Sequence, residues 1–339
     1  MTKRIWLHIV NSMRGGVGRV VQNLIAAGID GFEQKISALD AGSFSPAGAA
    51  LKKIITAKRA IGSLPPGSVV HLHCGFRSWL YVSSDQDIKY IATVHGIVPP
   101  KGFAALRSKI ELLLLSKRRV SIVAVSEHCK KTMENMATLC RSIAVIPNGV
   151  PGASARLPVR TDNSVSVGFV GDFSFNKGIH TFLEVARLLK HMQARFTVFG
   201  NGPESAMVAE AAQKGLIRWI NGETRPARIY PQMDILVFPS QLEGPDSTGC
   251  PMVVLEAKSY GVPIVASKIP GVREIIEDGN DGVLIGSWEA REYAVAVERL
   301  ITASEMRHAL SAYAKEKWTS HFNADLMAER YLLLASSHS

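Results

Sequence analysis

Short apolar runs alternate with helical patterns along almost the whole chain, and this alternation constrains the fold more than any other feature. Apolar runs that are buried on both faces and alternate with helices predict parallel β-α-β units. In the first half, the predicted strands are Arg4–Val10, Ser68–His73, Tyr90–His95, Ile122–Ser126 and Ile143–Ile146. The predicted helices of this half are Val17–Ala27, Phe103–Arg118 and Glu127–Met136.

A segment rich in proline, glycine and small polar residues, PNGVPGASARLPVRTDNS, interrupts the alternation and predicts a linker. The pattern then restarts, with predicted strands at Ser166–Val170, Arg195–Phe199, Ile217–Ile220, Ile235–Phe238 and Ile264–Ala266. Helices are predicted at Gly178–His191, Glu204–Lys214, Met252–Tyr260, Ala290–Thr302, Glu305–His321 and Ala324–Leu334. A chain of 339 residues accommodates two domains. We therefore expect two doubly wound α/β domains, residues 1–155 and 156–320, with a ligand site in the cleft between them.

Positive charge is concentrated in the first half. Residues up to Arg160 include 22 Lys and Arg against 8 Asp and Glu, whereas the remainder has 17 against 21. This asymmetry predicts an anionic partner for the first half, such as a phosphorylated substrate, an anionic lipid surface or nucleic acid; an ordinary basic surface is the alternative. The segment Phe103–Arg119 combines Leu and Ile with five cations. It fits either a membrane surface or a core-facing helix with a solvated cationic face.

The cysteines and the apolar runs indicate a cellular compartment. Cys74, Cys129, Cys140 and Cys250 form no CxxC motif, so neither a zinc site nor a disulfide framework is predicted. The N-terminus is too polar beyond Val10 for a signal peptide, and no run of 18 apolar residues occurs. We expect a reduced, cytoplasmic protein that is peripheral on the inner face of the membrane if it meets lipid.

Two glycine-rich turns match nucleotide-binding motifs only in part. Gly16 and Gly18 follow the first strand and open a helix, where glycines and N–H groups can approach a phosphate. A dinucleotide-binding GxGxxG motif that starts at Gly16 would need its last glycine where Val21 stands, and one that starts at Gly200 would need it where Ser205 stands. No GxxxxGK[ST] motif is present. Dehydrogenase and P-loop interpretations are therefore weakened.

Several polar residues are placed where a ligand is expected. His95 ends a buried strand beside a glycine, and Lys177 lies in a turn after another strand, where it can contact an anion. Glu256 lies within an apolar helical pattern, where a carboxylate needs a partner, so we expect a ligand contact. His71 and His73 share one strand face and could suit a metal. With no third ligand nearby in the sequence, we favour packing or a polar lining.

The chain resembles the retaining nucleotide-sugar glycosyltransferases of family 4 over nearly its whole length. The resemblance rests on an ordered set of segments: GGVGR, HLH, TVHG, VSEHCK, IPNGV, GFVGDFSFNKG, FGNGPE, ILVFPSQLEG and PMVVLEAKSYGVPIVASKIPGVREII. It implies the GT-B fold, in which two Rossmann-like domains face a central cleft. It also implies that the C-terminal helix, within residues 321–339, crosses back to the first domain.

The resemblance implies a role for each matching residue. Gly16 would line the phosphate and sugar of the donor, and His95 would lie near the donor sugar and the bond that breaks. Lys177 would hold the diphosphate, and Glu256 would bind the ribose hydroxyls. Backbone N–H groups at a helix start would face the diphosphate; they belong to Met252 and Val253.

The sequence departs from the family pattern at two positions. Asp172 stands where the family usually has an arginine beside the diphosphate. The family also has a glutamate eight residues before Glu256, and this chain has Thr248 there. Either Thr248 replaces the sugar-binding glutamate, or an insertion lets Glu243 or Asp246 reach the site. We favour Thr248, because Thr248 and Gly249 keep the ungapped spacing.

The activity implied by the resemblance is sugar transfer with retained anomeric configuration and without a metal or a cofactor. We expect a UDP- or GDP-sugar donor bound by the second domain, and a sugar or lipid-linked sugar acceptor bound by the first. The setting would be bacterial cell-surface or exopolysaccharide assembly. The alternatives are an epimerase or a nucleotide-sugar-binding protein without transfer activity. Nucleic acid is not an expected partner, because only Trp79 and Tyr81 near Arg77 would support it.

Overall fold

The structure is a computed structural model that describes residues 3–39, 47–83, 87–97, 102–136, 142–153, 164–241 and 249–337. The chain divides into two compact units. The first unit contains Met1–Pro151, Thr248–Cys250 and Ala324–Ser339. The second unit contains Gly152–Ser247 and Pro251–Asn323.

The first unit is a parallel sheet with flanking helices. Its described strands are β1 (Arg4–Val10), β2 (Phe32–Ala38), β3 (Val69–His73), β4 (Lys89–Val94), β5 (Val120–Ala124) and β6 (Ile143–Val145). They pair in the order β2-β1-β3-β4-β5-β6. Its described helices are α1 (Gly15–Ala27), α2 (Ala47–Gly62), α3 (Phe103–Ser116), α4 (Glu127–Met136) and the C-terminal α12 (Ala324–Ser336).

Helix α12 is attached to the sheet of the first unit by hydrogen bonds. The hydroxyl groups of Tyr331 and Thr93 are 2.9 Å apart, and the Lys89 ammonium donates to the carbonyl of Ala335 at 2.7 Å. Tyr331 is fully buried among the strands. The last helix therefore packs on the first unit, as the family resemblance implies.

The second unit repeats the architecture. Its described strands are β7 (Val165–Val170), β8 (Ala194–Phe199), β9 (Arg218–Ile220), β10 (Ile235–Phe238), β11 (Ile264–Ser267) and β12 (Val283–Ile285). They pair in the order β12-β11-β10-β7-β8-β9, and all pairs are parallel. Its described helices are α5 (Ile179–Leu188), α6 (Ser205–Gln213), α7 (Pro226–Ile229), α8 (Met252–Ser259), α9 (Pro270–Arg273), α10 (Ala290–Thr302) and α11 (Ser304–Lys317).

The predicted α/β fold is confirmed, and the differences concern the sheet edges, the helix ends and the helices α2, α7 and α9, which were not predicted. Strand β2 was not predicted because its sequence, FEQKISA, contains no apolar run; as an edge strand it leaves Glu33 and Lys35 in solvent. The predicted helices Phe103–Arg118 and Gly178–His191 end earlier, at Ser116 and Leu188. The predicted helix Glu305–His321 also ends early, at Lys317, where a π-helical turn begins.

Candidate functional site

The strand order defines one switch point in each sheet. In the second unit, the chain order reverses between the neighbouring strands β7 and β10. Ligands of open α/β sheets bind outside the carboxyl ends of the strands at such a point. The predicted donor residues Asp172 and Lys177 follow β7, and Gly249, Met252, Val253 and Glu256 follow β10. The strand order of the second unit thus brings the turn that carries Asp172 and Lys177 to the same sheet edge as the start of α8.

The turn after β7 is fixed against the end of β10. A Cβ atom on Gly178 would lie 2.1 Å from the carbonyl oxygen of Pro239, so only glycine permits this approach. The N–H of Gln241 also donates to the carbonyl of Asn176 at 2.9 Å. Lys177, half-buried, therefore lies in a turn held at the switch point.

Asp172 lies beside the turn that follows β8. A Cβ atom on Gly202 would be 2.7 Å from Asp172 Oδ1, which places the carboxylate next to this turn. The N–H of Phe173 donates to the carbonyl of Asn201 at 2.9 Å, and this bond joins the two turns. Asp172 is exposed. An anion thus occupies the position where the family pattern has a cation.

Helix α8 begins directly after the β10 segment. The N–H groups of Met252 and Val253 have no acceptor within the helix, whereas the N–H of Val254 donates to the carbonyl of Pro251 at 3.2 Å. Pro251 precedes the helix and has no capping side chain. The helix start therefore carries positive potential. Gly249 is buried just upstream. Thr248 and Glu243, the two candidates for the sugar-binding position, lie outside the described residues.

Glu256 is hydrogen-bonded to a tyrosine that the sequence analysis did not identify. The hydroxyl of Tyr230 donates to Glu256 Oε2 at 2.7 Å, and the ring of Tyr230 stacks on Tyr260 with centroids 5.5 Å apart. Tyr230 is fully buried. A hydrogen bond from a buried tyrosine fixes the orientation of the carboxylate. No spacing rule links Tyr230 to Glu256, since they lie on different elements.

In the first unit, the strand order reverses between the neighbouring strands β1 and β3. Gly16 lies in the first turn of α1, which follows β1. A Cβ atom on Gly18 would lie 2.0 Å from the carbonyl oxygen of Met13. Glycine at this position lets the turn fold back on the helix start. Gly16 itself is exposed, with no acidic residue in the first helical turn. This helix start can therefore accept an anionic group.

His95, which is half-buried, follows β4 and adjoins a cluster of three buried histidines, His8, His71 and His73. His73 Nδ1 and His95 Nε2 are 2.9 Å apart, and His73 Nε2 and His8 Nδ1 are 3.3 Å apart. Burial lowers the pKa of His8 and His95 to about 4, with the Asn148 side chain partly opposing the shift at His95. Burial and neighbouring histidine charges also lower the pKa of His71 and His73. The cluster is therefore neutral at pH 7.

The expectation that no third ligand lies near His71 and His73 is wrong. Strand β1 pairs with β3, and this pairing places His8 opposite His71. One nitrogen from each of His8, His71 and His73 lies within 4.8 Å of the others, a spacing that could hold a metal. However, His71 Nδ1 accepts from the Trp6 indole at 3.4 Å, and His71 Nε2 pairs with Thr93 Oγ1 at 2.8 Å. Metal binding would require His71 to give up one of these partners, so the contacts favour a hydrogen-bonded polar lining.

Helix α3 has a solvent-exposed apolar stripe. Leu106, Ile110 and Leu114, spaced four residues apart, are 55%, 49% and 37% exposed. The opposite face is buried through Leu112 and Leu115. Exposed cations accompany the stripe at Arg107, Lys109, Lys117, Arg118 and Arg119. The helix therefore packs one apolar face on the core and exposes a second apolar face to solvent. The sequence had suggested either a membrane-surface segment or a core-facing helix with a solvated cationic face, and neither describes this combination.

A cavity of about 470 Å³ in the second unit lies elsewhere, beside Ser166, Arg195 and Arg218. These residues are at the amino ends of β7, β8 and β9, the edge opposite Lys177 and Glu256. We place the candidate site at the carboxyl edge, because ligands of doubly wound sheets bind there. Among the described residues, no helix has the length and the apolar character needed to cross a membrane.

Two parallel doubly wound sheets, with a lysine, a helix start and a carboxylate after the strands of one switch point, are the arrangement expected of a GT-B glycosyltransferase. Residues 158–317 match the sequence family described as glycosyl transferases group 1, and residues 38–152 match glycosyltransferase family 4. Spore coat protein SA of Bacillus subtilis is 33% identical over 299 residues, which are 78% of this chain and 77% of that protein. The chain belongs to the group 1, family 4 glycosyltransferases.

Further similarities agree with this family. The Anabaena protein Alr3699/HepE, solved in complex with UDP and glucose, has a TM-score of 0.79 at 15% identity, covering 98% of this chain and 100% of that one. The Campylobacter jejuni N,N'-diacetylbacillosaminyl-diphospho-undecaprenol alpha-1,3-N-acetylgalactosaminyltransferase is 28% identical over 162 residues, 47% of this chain and 41% of that enzyme. The chain spans between 24% and 53% of the lengths of three relatives, including the Campylobacter enzyme.

Proposed function

We propose that this chain transfers a sugar from a UDP- or GDP-sugar to an acceptor in the assembly of bacterial surface or lipid-linked saccharides. The observation that carries the proposal is the grouping of Lys177, the α8 helix start and Glu256 at the β7–β10 switch point of a family 4 glycosyltransferase. A nucleotide sugar needs these contacts, because it presents a diphosphate and ribose hydroxyls together. The relatives act in polysaccharide or lipid-linked sugar synthesis.

The proposed chemistry breaks the bond between the anomeric carbon and the phosphate oxygen while the oxygen of an acceptor hydroxyl forms the new glycosidic bond, and the proton of that hydroxyl passes to the departing phosphate oxygen. The nucleoside diphosphate leaves with increasing negative charge. Lys177 and the N–H groups of Met252 and Val253 would stabilise that charge, and this supports a metal-independent reaction. Retention of the anomeric configuration is proposed from the family resemblance, with His95 near the transferred sugar. Asp172 and the Thr248 position would adjust donor specificity.

The test of this proposal is release of nucleoside diphosphate from a panel of UDP- and GDP-sugars, with and without lipid-linked sugar acceptors. Acceptor-dependent release by the full chain, unchanged by EDTA, supports transfer without a metal, and NMR of the product's anomeric proton reports retention. Conversion of a nucleotide sugar into its epimer would support the epimerase alternative. A protein that binds no nucleotide in this panel would contradict the proposal.

Replacing Glu256 by Ala is expected to weaken binding of the donor nucleotide by about 1.5–3 kcal/mol, because charge-assisted hydrogen bonds to the ribose are lost. Calorimetric titration with UDP and GDP measures this change. Glu210→Gln, which alters an exposed carboxylate on α6, is the matched control and should leave the affinity unchanged. A folded Glu256→Ala variant with the affinity of the parent would remove Glu256 from the site.

We also propose that the acceptor reaches the first unit at an anionic membrane surface, with the protein peripheral on the inner face. Leu106, Ile110 and Leu114 would enter the headgroup region while the neighbouring cations contact anionic lipids. The excess of 22 basic over 8 acidic residues up to Arg160 supports this choice. Each cation near such a surface contributes about 1 kcal/mol, and salt screens the attraction.

The protein is expected to sediment with anionic liposomes at low salt, to be released at high salt and to remain in solution with neutral liposomes. Ile110→Ser combined with Leu114→Ser should reduce sedimentation, and so should Lys117→Ser combined with Arg119→Ser. Val295→Ser, which changes an apolar side chain that is 62% exposed on the second unit, is the control. Failure to sediment with anionic liposomes at low salt would overturn the membrane proposal and favour a soluble anionic acceptor.

A further inference from the structure

The buried histidines of the first unit form a chain that leads to His95. His8 lies on β1 and His73 on the neighbouring strand β3, while His95 follows β4. Gln34, on β2, is hydrogen-bonded to His8 Nε2 at 2.9 Å. The contacts therefore run across four adjacent strands, from the sheet edge to the residue that the proposed function places near the transferred sugar. The proposed chemistry itself does not involve Gln34, His8 or His73.

The direction of these hydrogen bonds is set at the Gln34 end. Gln34 Nε2 donates to the carbonyl of Leu24 at 3.1 Å, so Gln34 Oε1 faces His8. The opposite amide orientation would place the Gln34 oxygen against the Leu24 oxygen. His8 Nε2 must therefore carry the proton that Gln34 accepts. A neutral imidazole has only one N–H, so His8 Nδ1 is an acceptor.

The same assignment of donors and acceptors applies to His73 and then to His95. His73 Nε2 donates to His8 Nδ1 at 3.3 Å, which leaves His73 Nδ1 as an acceptor. His95 Nε2 then donates to His73 Nδ1 at 2.9 Å. His95 Nδ1 carries no proton and has no hydrogen-bond partner among the described residues, although it is buried. The Asn148 side chain, which opposes the lowered pKa of His95, donates its amide N–H to the carbonyl of Cys250 at 2.8 Å.

We propose that His73, oriented by His8 and Gln34, is a positioning residue that holds His95 in the tautomer protonated on Nε2, so that Nδ1 accepts a hydrogen bond from a hydroxyl group of the bound sugar. This inference rests on the proposed function for the role of His95. An imidazole with a lone pair toward the ligand binds a hydroxyl and disfavours a phosphate oxygen, since two acceptors would face each other. The hydrogen bonds from Gln34 to His95 therefore assign the His95 side chain to the sugar rather than to the diphosphate.

Two substitutions of His73 separate this role from packing. In His73→Asn, Oδ1 stands in the position of Nδ1 and can still accept from His95. In His73→Leu, a side chain of similar branching offers no acceptor. His71→Leu is the matched control, because His71 lies on the same strand, is equally buried and is hydrogen-bonded to Trp6 and Thr93 rather than to His95.

The first measurement is the tautomer itself, from two-bond ¹H–¹⁵N correlation spectra of the full chain labelled on histidine nitrogens, with His95 assigned by loss of its signals in His95→Ala. The parent and His71→Leu are expected to show the His95 proton on Nε2, and His73→Leu a mixture of tautomers. A His95 proton on Nδ1 in the parent, or an unchanged tautomer in His73→Leu, would overturn the inference. This readout needs no activity, so it remains decisive if the proposed function fails.

The second measurement is the kcat/KM for sugar transfer. We expect His73→Leu to lower it about tenfold or more, the effect of losing one hydrogen bond to the bound sugar, while His73→Asn and His71→Leu stay within about threefold of the parent. In a His95→Ala background, His73→Leu should have no further effect. Additive losses, or equal losses in His73→Leu and His71→Leu, would show a structural role and contradict the inference. Full activity in His95→Ala would instead contradict the proposed role of His95.

Discussion

Lowering the pH from 7 to 5 is expected to reduce the free energy of unfolding by about 4 kcal/mol, because the folded first unit keeps its histidines neutral. Burial lowers the pKa of both His8 and His95 to about 4, whereas an unfolded histidine titrates near 6.5. Each of the two contributes about 2 kcal/mol over this range. His71 and His73, whose pKa values are also lowered, act in the same direction.

The sign follows from proton binding. Between pH 6.5 and pH 4 the unfolded chain binds more protons than the folded chain, so stability is full above pH 6.5 and is lost as the pH falls toward 4. Urea unfolding followed by circular dichroism at pH 7, 6 and 5 measures the change. His71→Leu should reduce the pH dependence, and His191→Gln, at an exposed histidine, should not alter it. Equal free energies of unfolding at pH 7 and pH 5 would contradict the prediction.

Replacing Asp281 by Ala is expected to destabilise the second unit by about 3–5 kcal/mol, because it leaves the charge of Lys258 buried without its partner. The side chains of Lys258 and Asp281 are both 0% exposed, with Nζ and Oδ2 2.5 Å apart. Burial lowers the pKa of Lys258 to about 8, and Asp281 opposes this shift. Lys258 lies two residues after Glu256 on α8, so the pair also anchors the helix that carries the proposed ribose contact.

An exposed ion pair in the same turn supplies the control. Asp278 lies 3.7 Å from Lys268, and both side chains are 44–45% exposed. Asp278→Asn removes this charge but keeps an Oδ1 acceptor for the N–H of Leu284, so a change below about 1 kcal/mol is expected. Urea unfolding compares the two variants. Equal midpoints for Asp281→Ala and Asp278→Asn would show that the buried pair does not stabilise the fold.

The elements that the sequence predicted best are those with a single clear pattern of apolar residues. Strand Ile235–Phe238 and helices Glu127–Met136 and Ala290–Thr302 have the predicted boundaries. A fully apolar run of four residues, or a long amphipathic helix, leaves no competing periodicity. Edge strand β2 gave no such signal, because solvent accepts its polar side chains. The fourteen-residue helix α11 ends in a π-helical turn that no sequence pattern announced.

The positions of the proposed donor residues after β7 and β10 were predictable because these residues lie in two short segments of the sequence. Lys177 follows one strand by a short turn, and Glu256 follows another through a proline-initiated helix, so strand ends and helix starts located them. The contacts that orient these residues were not predictable. Tyr230 reaches Glu256 from a separate element, and Gly178 meets Pro239 only because β7 and β10 are neighbours.

The sequence by itself determined the two-fold α/β alternation, the family and the residues that face the strand ends, because these follow from local periodicity and ordered motifs. Only the tertiary structure decided which buried side chains act together. His8 is 63 residues from His71 in the chain, yet the pairing of β1 with β3 places them opposite each other and supplies the histidine that orients His73. Strand order is a property of the whole sheet, so no local pattern in the sequence could have assigned a proton to His95.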